Sequence, residues 1–371
     1  MKERSMSTLL LLILLVSLLA CNGHNKETKP RSSDDLGFAL LVVAEGDVSL
    51  MRQQWADFHP AAFGTLLRRG DQLNPAPDTR IVVLCDNLRT WTVPPGVPSG
   101  LNNGCPLPPE PLLRSGKSLL GRTRTPVEAL QSIPYIISPR ATELLNRRPT
   151  LRWNPVPGAI SYTVQVRGGD IDWKEHVQGT KTELTYPGHP PLKEGVSYSL
   201  IVEADMGQSS RDEEVKGGGF SILSEEKAQS VEVAEGKVAK LELPAKAEAL
   251  ARAHLYRAQN LVSKAIEILE PLATQEEEEV AIHQTLADLY RQIDLNLLAK
   301  PRYQKALDLA STTGNVEAQA AAQAGLGEVH VALVEKEEAI KWLEKARANY
   351  EKLGESQRVD QLTERIDEIS P

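Results

Sequence analysis

Apolar positions follow four different patterns along the chain, and each predicts a different kind of structure. From Leu9 to Val16 every residue is apolar, with polar residues on both sides. Between Phe38 and Val93 the apolar residues fall in short β-rich runs: Phe38–Val43, Val48–Met51, Arg80–Cys85 and Trp91–Val93. Gly46-Asp47, Gly70-Asp71 and Asp86-Asn87 separate them as turns. Short strands between such turns predict a small antiparallel barrel or roll. From Thr150 the runs alternate more cleanly, through Thr150–Trp153, Ser161–Val166 and Tyr198–Val202, as the strands of a β-sandwich do. Residues 247–368 change period: they are rich in Ala, Leu, Glu, Lys and Gln, with apolar residues at helical spacing.

The stretches between these patterns read as connections. Residues 22–36 are polar and resemble a tether. Pro94, Pro95, Pro98, Pro106, Pro108, Pro109, Pro111, Pro126 and Pro134 block helix interiors and central strands, so 94–134 reads as a stiff linker. Residues 229–243 show no decisive period and are left as a connecting segment.

The apolar run at Leu9 follows Lys2 and Arg4 and leads to Leu18-Leu19-Ala20-Cys21. A basic start, a short apolar core and small residues at its end make a secretory signal. A membrane span needs about 20 apolar residues, so the run is too short for one. Leu18, Ala20 and Cys21 resemble the lipobox of bacterial lipoproteins, which implies cleavage before Cys21 and acylation of that cysteine. Acyl chains would then hold the protein to a membrane. By the same resemblance, Asn22 in place of Asp implies an outer-membrane destination, facing the periplasm. With Cys21 set apart, Cys85 and Cys105 remain as an even pair in an exported chain, read as a disulfide with two free thiols as the alternative.

Three further resemblances rest on particular residues. Gly46-Asp47-Val48, the Gly70-Asp71-Gln72-Leu73 turn and the strand ending at Asp86 resemble the FecR-like domain, whose members are extracytoplasmic sensing or scaffold modules. Pro149, Leu151, Trp153, Pro157-Gly158, Tyr162-Val164-Val166 and Leu192-Gly195-Tyr198 resemble a fibronectin type III or Ig-like sandwich. That resemblance makes Trp153 and Tyr198 core residues rather than a carbohydrate platform. In the helical part, Leu286, Ala287, Tyr290, Ala299, Tyr303 and Ala306 recur 40 residues on as Leu326, Gly327, His330, Ala339, Leu343 and Ala346. Tyr256, Ala265 and Leu269 stand 34 before Tyr290, Ala299 and Tyr303. These offsets resemble tetratricopeptide (TPR) repeats, at about 246–279, 280–319 and 320–355. Residues 356–368 follow as a polar capping helix, and Ser311–Asn315 supplies a longer loop for the 40-residue step.

The resulting architecture is multidomain, β then α. A lipoprotein signal peptide spans 1–20, a lipidated tether 21–36 and a small all-β FecR-like domain 37–105. A proline-rich linker spans 106–138 and an Ig or fibronectin III-like β-sandwich 139–223. A connector spans 224–245 and an α-helical TPR solenoid with its cap 246–371.

Charge sharpens this picture. The chain carries −8 overall, which argues against a nucleic-acid binder. Residues 223–371 hold 18 Lys and Arg against 27 Asp and Glu, a net of −9, so the acidity belongs to the helices. A basic or amphipathic partner would complement it; simple solubility of surface helices explains it as well. Glu276–Glu279 falls where a repeat helix begins and suits the positive end of the helix dipole, with a metal or basic partner as the sharper reading.

No catalytic or cofactor chemistry emerges. The seven histidines are scattered, so no metal pair of the H-E-x-x-H kind is present. Gly116-Lys117-Ser118 lacks the first glycine of a phosphate loop and lies among prolines. Arg69-Gly70-Asp71 falls where the β fold needs a turn. The expectation is therefore a non-enzymatic scaffold with no cofactor or metal. A lipid on Cys21 would anchor it to the cell envelope, and a protein partner would sit in the TPR groove. Gln284, Asp288, Gln323 and His330 are the groove positions suggested by repeat phase. A signal-sensing component related to FecR-like regulators, or an envelope glycan-binding protein, are the alternatives.

Overall fold

The computed structural model describes residues 38–106, 111–113, 125–213, 218–275 and 278–370. The signal segment, Cys21, the tether and Gly116-Lys117-Ser118 lie outside the described residues, as do Glu276 and Glu277.

The first module is built from eight short strands: β1 (Ala39–Glu45), β2 (Val48–Met51), β3 (His59–Ala61), β4 (Leu66–Leu67), β5 (Gln72–Pro75), β6 (Arg80–Leu84), β7 (Thr90–Val93) and β8 (Ser99–Gly100). They form two four-stranded antiparallel sheets, β4-β1-β6-β7 and β3-β2-β5-β8. The chain passes from one sheet to the other at Gly46. Its φ of +93° suits glycine, and a Cβ there would lie 2.7 Å from Thr79 Cγ2. Alternate residues of the two sheets, Leu41, Leu50, Leu73, Ile81 and Val83, make the core. A short helix, α1 (Leu101–Gly104), then carries Cys105 back to Cys85; the two form a disulfide with Cα atoms 5.4 Å apart.

A short α2 (Val127–Gln131) precedes the second module: β9 (Ile136–Ser138), β10 (Thr142–Leu144), β11 (Thr150–Trp153), β12 (Ser161–Gly168), β13 (Ile171–Gln178), β14 (Glu183–Thr185), β15 (Ser197–Ala204) and β16 (Phe220–Ile222). A five-stranded sheet, β10-β16-β15-β12-β13, faces a three-stranded one, β14-β11-β9. Trp153 and Tyr162 meet edge to face with ring centroids 5.5 Å apart, and Tyr198 stacks beside Phe220. Trp153 and Tyr198 are both buried among Val164, Val166 and Val202, which leaves neither ring free to serve as a sugar platform.

Eight helices follow: α3 (Glu225–Ala239), α4 (Ala245–Ala258), α5 (Val262–Leu269), α6 (Val280–Gln292), α7 (Asn296–Thr312), α8 (Val316–Ala332), α9 (Lys336–Lys352) and α10 (Ser356–Ile369). α4–α5, α6–α7 and α8–α9 are successive antiparallel pairs, and α10 closes the stack. The structure differs from the sequence reading in two places here. The segment left as a connector is a helix, α3, whose Ser224 side chain accepts from the Lys227 N–H as an N-cap. α3 buries only Val231, Ala234 and Val238, a stripe too narrow to stand out against its charged neighbours. The 40-residue step also arises differently. α7, α8 and α9 have 17 residues each, and α7 runs through Ser311 and Thr312, so longer helices, not a longer loop, supply the extra length.

The described residues form one compact unit. The main core runs from Leu40 and Val42 of β1 through Leu130, Ile133, Tyr135 and Ala141 into α3–α8. Residues 125–138, read from their prolines as part of a stiff spacer, are thus packed against the helices. Proline restricts the backbone at Pro126 and Pro134, but between them Val127, Leu130 and Ile133, three residues apart, still face the core. Among the described residues no helix is long and apolar enough to cross a membrane.

Candidate partner-binding groove

The helix pairs approach closely where small residues face large ones. Ala299, Ala306, Ala339 and Ala346 are fully buried in α7 and α9. In α8, Gly325 makes room for Tyr303: a Cβ there would fall 2.4 Å from the ring. This contact lets α7 tuck beneath α8 and leaves a groove bounded by α6, α8 and α10, of about 560 Å³. Gln284, Asp288 and Arg291 of α6 line one side, Ala321, Ala324 and Glu328 of α8 the middle, and Arg358, Gln361 and Arg365 of α10 the other.

The charged groups of the groove are largely tied to one another. Tyr303 donates its hydroxyl to Asp288 at 2.6 Å and accepts from Arg291 Nε at 3.1 Å. Burial and the Asp288 carboxylate push the Tyr303 phenol well above its ordinary range, so it stays a neutral donor. Arg291 is held charged by Tyr303 and Asp288 despite its burial. Arg365 forks onto Glu328 at 2.8 and 3.1 Å and also reaches Glu368 at 2.7 Å. Little of the acidic surplus of the helical part is therefore presented by the groove, where Asp288 is bound to Tyr303 and where Glu328 and Glu368 share Arg365. What the groove offers is a polar, hydrogen-bonding trough floored by the small side chains of α8.

The four positions suggested by repeat phase separate in space. Gln284 and Asp288 line the groove. Gln323 is buried and accepts from Asn349 Nδ2 at 2.9 Å, a structural link between α8 and α9. His330 lies on the opposite side of α8, because residues advance by about 100° each along a helix. There it meets Glu335 in a second cleft with Lys300, Pro301, Leu326 and Trp342. Burial lowers the His330 pKa, with Glu335 pulling the other way. The α10 wall carried no mark in the sequence beyond a polar, amphipathic helix, so Arg358, Gln361 and Arg365 were not foreseen.

Elsewhere the sequence candidates resolve simply. Asp71 of Arg69-Gly70-Asp71 is buried beside Arg52 and accepts from the Arg68 backbone N–H, which leaves it no outward face. Glu278 pairs with Lys305 and stands 3.4 Å from His283. Among the described residues no group of three His, Cys, Asp or Glu side chains is placed to hold a metal ion.

No family model matches the chain, and no curated protein matches it in sequence. Among solved structures it is similar to BtubC (BKLC) from P. vanneervenii, at 18% identity over 38% of this chain and 63% of that one, with a TM-score of 0.30. The chain thus spans under two thirds of that protein's length. It is also similar to a Podosopora anserina putative kinesin light chain with nearly identical TPR-like repeats. The identity there is 20%, over 38% of this chain and 85% of that one, with a TM-score of 0.29. A second structure of those repeats gives 21%, 38%, 85% and 0.28. These neighbours are TPR-like repeat proteins, and the groove described above stands on the packing of α6–α10.

Proposed function

We propose that the chain is a non-enzymatic scaffold that binds a segment of a protein partner in the groove between α6, α8 and α10. The observation that carries this reading is the groove itself, floored by Ala321, Ala324 and Gly325 and walled by hydrogen-bonding side chains. A groove fixed before binding loses little conformational entropy when a partner enters, which favours recognition of short segments. The internal pairing of its charges favours a polar, hydrogen-bonding partner over a strongly basic one.

In this reading the protein works in the bacterial cell envelope, held by acyl chains on Cys21. The lipobox-like Leu18-Leu19-Ala20-Cys21 and the exported-type cysteine pair support that placement. The FecR-like character of the first module and the fibronectin III-like character of the second belong to the same reading. Affinity capture from detergent-solubilised envelopes tests it. A stoichiometric partner is expected with the unaltered chain and is expected to be lost with Ala324→Arg, which fills the groove floor. Equal capture by both chains would remove the groove from the account. Persistence of Cys21→Ser in the membrane fraction would remove the anchor.

A further inference from the structure

The walls of the groove are not held alike. α6 is fixed at both ends from outside the helical stack. Near its start, Ala281 packs on Gly64 of the first β module, so closely that a Cβ on Gly64 would overlap it. Just past its end, the Ile293 carbonyl accepts from Arg140 Nε at 2.7 Å. α10 differs. Outside the stack, its contacts gather at its N-terminal end, against the first β module. Trp55 donates its indole N–H to Glu355 at 3.0 Å, and a Cβ on Gly354 would lie 2.9 Å from the Gln54 carbonyl oxygen. Leu353, in the same turn, is buried in the core of that module rather than among the helices. The same module also takes the start of α8: Arg52 pairs with Glu317 and stacks on Trp55 at 5.3 Å.

We infer that the first β module sets the opening of the groove, by gripping α8 and α10 at their N-terminal ends, while α6 rests on Gly64 at its start and is tied to Arg140 of the second module at its end. The grip is made by the segment 52–55, which reaches Glu317, Leu353, Gly354 and Glu355. Those residues begin the helices that supply Ala321, Ala324 and Glu328 in the middle of the groove and Arg358, Gln361 and Arg365 on the side opposite α6. A displacement of segment 52–55 relative to Gly64 and Arg140 therefore moves the α10 side of the groove relative to α6. By linkage, any ligand that prefers one groove width biases the seating of the module by the same factor. This gives the first module a role at the groove, and it holds whatever the partner turns out to be.

The test reads groove width directly and needs no partner. Nitroxide labels at Gln284→Cys on α6 and Gln361→Cys on α10, in the full chain with Cys21→Ser, report the distance across the groove by pulsed electron resonance. Trp55→Ala and Glu355→Gln are each expected to shift the distance or broaden its distribution to about twice the width, as a two-position element released from one state would. Glu194→Gln, on the sandwich surface, is the control and is expected to leave it unchanged. An unchanged distance in both joint variants overturns the inference, and so does an equal change in the control. Glu355→Gln keeps the shape of the side chain, so the question stays readable even where Trp55→Ala unfolds the first module.

Discussion

Both β modules meet the helical array through a buried arginine, and the two arginines are provided for very differently. Arg140, in the second module, is 1% exposed. Its two terminal nitrogens hold Glu213 at 2.7 Å each, Nη1 also reaches the Ile136 carbonyl, and Nε reaches the Ile293 carbonyl. Arg52, in the first module, is 6% exposed. It gives Nη2 to Leu66 and Glu317, while Nη1 stands 3.6 Å from Asp71 and Nε finds no acceptor among the described residues. One joint uses a bidentate carboxylate and two backbone carbonyls, which together meet all three guanidinium nitrogens. The other relies on carboxylates and leaves donors unmet, at a cost for each buried group left without a partner. The second module's joint is thus the better-satisfied brace on the array, and the first module's is the weaker joint.

The largest expected effect is at the brace. Arg140→Ala leaves Glu213 buried and unpaired, and should cost about 3–5 kcal/mol, read from urea unfolding. Arg52→Ala should cost less, about 1–2 kcal/mol, because its donors are already incompletely met and Glu317 keeps access to water. Equal losses at the two sites would break the comparison.

The first module is also the one with a disulfide, and that cross-link lies within it rather than on the joint. Cys85 and Cys105 enclose a separation of 20 residues. Replacing both with serine should lower the stability of the module by about 3 kcal/mol, through the freedom returned to the unfolded chain. Hydrogen exchange should then quicken in β1, β6 and β7 while β11, β12 and β15 keep their protection. A loss spread evenly over both modules would mean that they unfold as one. Leu353→Ala acts at the joint itself. It removes a leucine that the array lends to the module core, at roughly 2–3 kcal/mol, the lower part of the range for a buried leucine. Its signature is faster exchange at both the α9–α10 turn and the first module.

Much of this organisation was legible from the residues. Period-two alternation located the strands, and the recurrence of Ala299 and Ala339, Tyr303 and Leu343 located the helix pairs. Both signals are local, and burial of one face enforces them. What was not legible is which surfaces meet. Nothing near Arg52 in the sequence distinguishes a side chain that will find Glu317, 265 residues away, from one that will face water. Leu353 falls inside the stretch read as the third repeat, yet it completes the core of a different module. The groove showed the same limit. Repeat phase placed Gln284 and Asp288 correctly, but it could not tell the two sides of α8 apart, so His330 fell on the wrong one. α3 was missed for a different reason: three small apolar residues in a charged helix give too little contrast to register as a period.

The smallest effect tests the chemistry of the weaker joint. Burial raises the Asp71 carboxyl to about 6, against the pull of Arg52 and the Arg68 backbone N–H, and Glu317 nearby raises it further. An acid whose folded pKa lies above its unfolded value of about 3.9 adds stability that is full below that value and is lost as pH rises through the folded one. Asp71 should therefore stabilise the chain at pH 4 relative to pH 7.5, by on the order of 2 kcal/mol over that window. Asp71→Asn removes the titration while keeping an oxygen for the Arg68 N–H. The difference in unfolding free energy between the two chains should then drift steadily from pH 4 to pH 7.5, with the variant gaining. The buried histidines His283 and His330 titrate in both chains and cancel in that difference. Parallel curves would show that Asp71 keeps its charge in the folded state throughout that window.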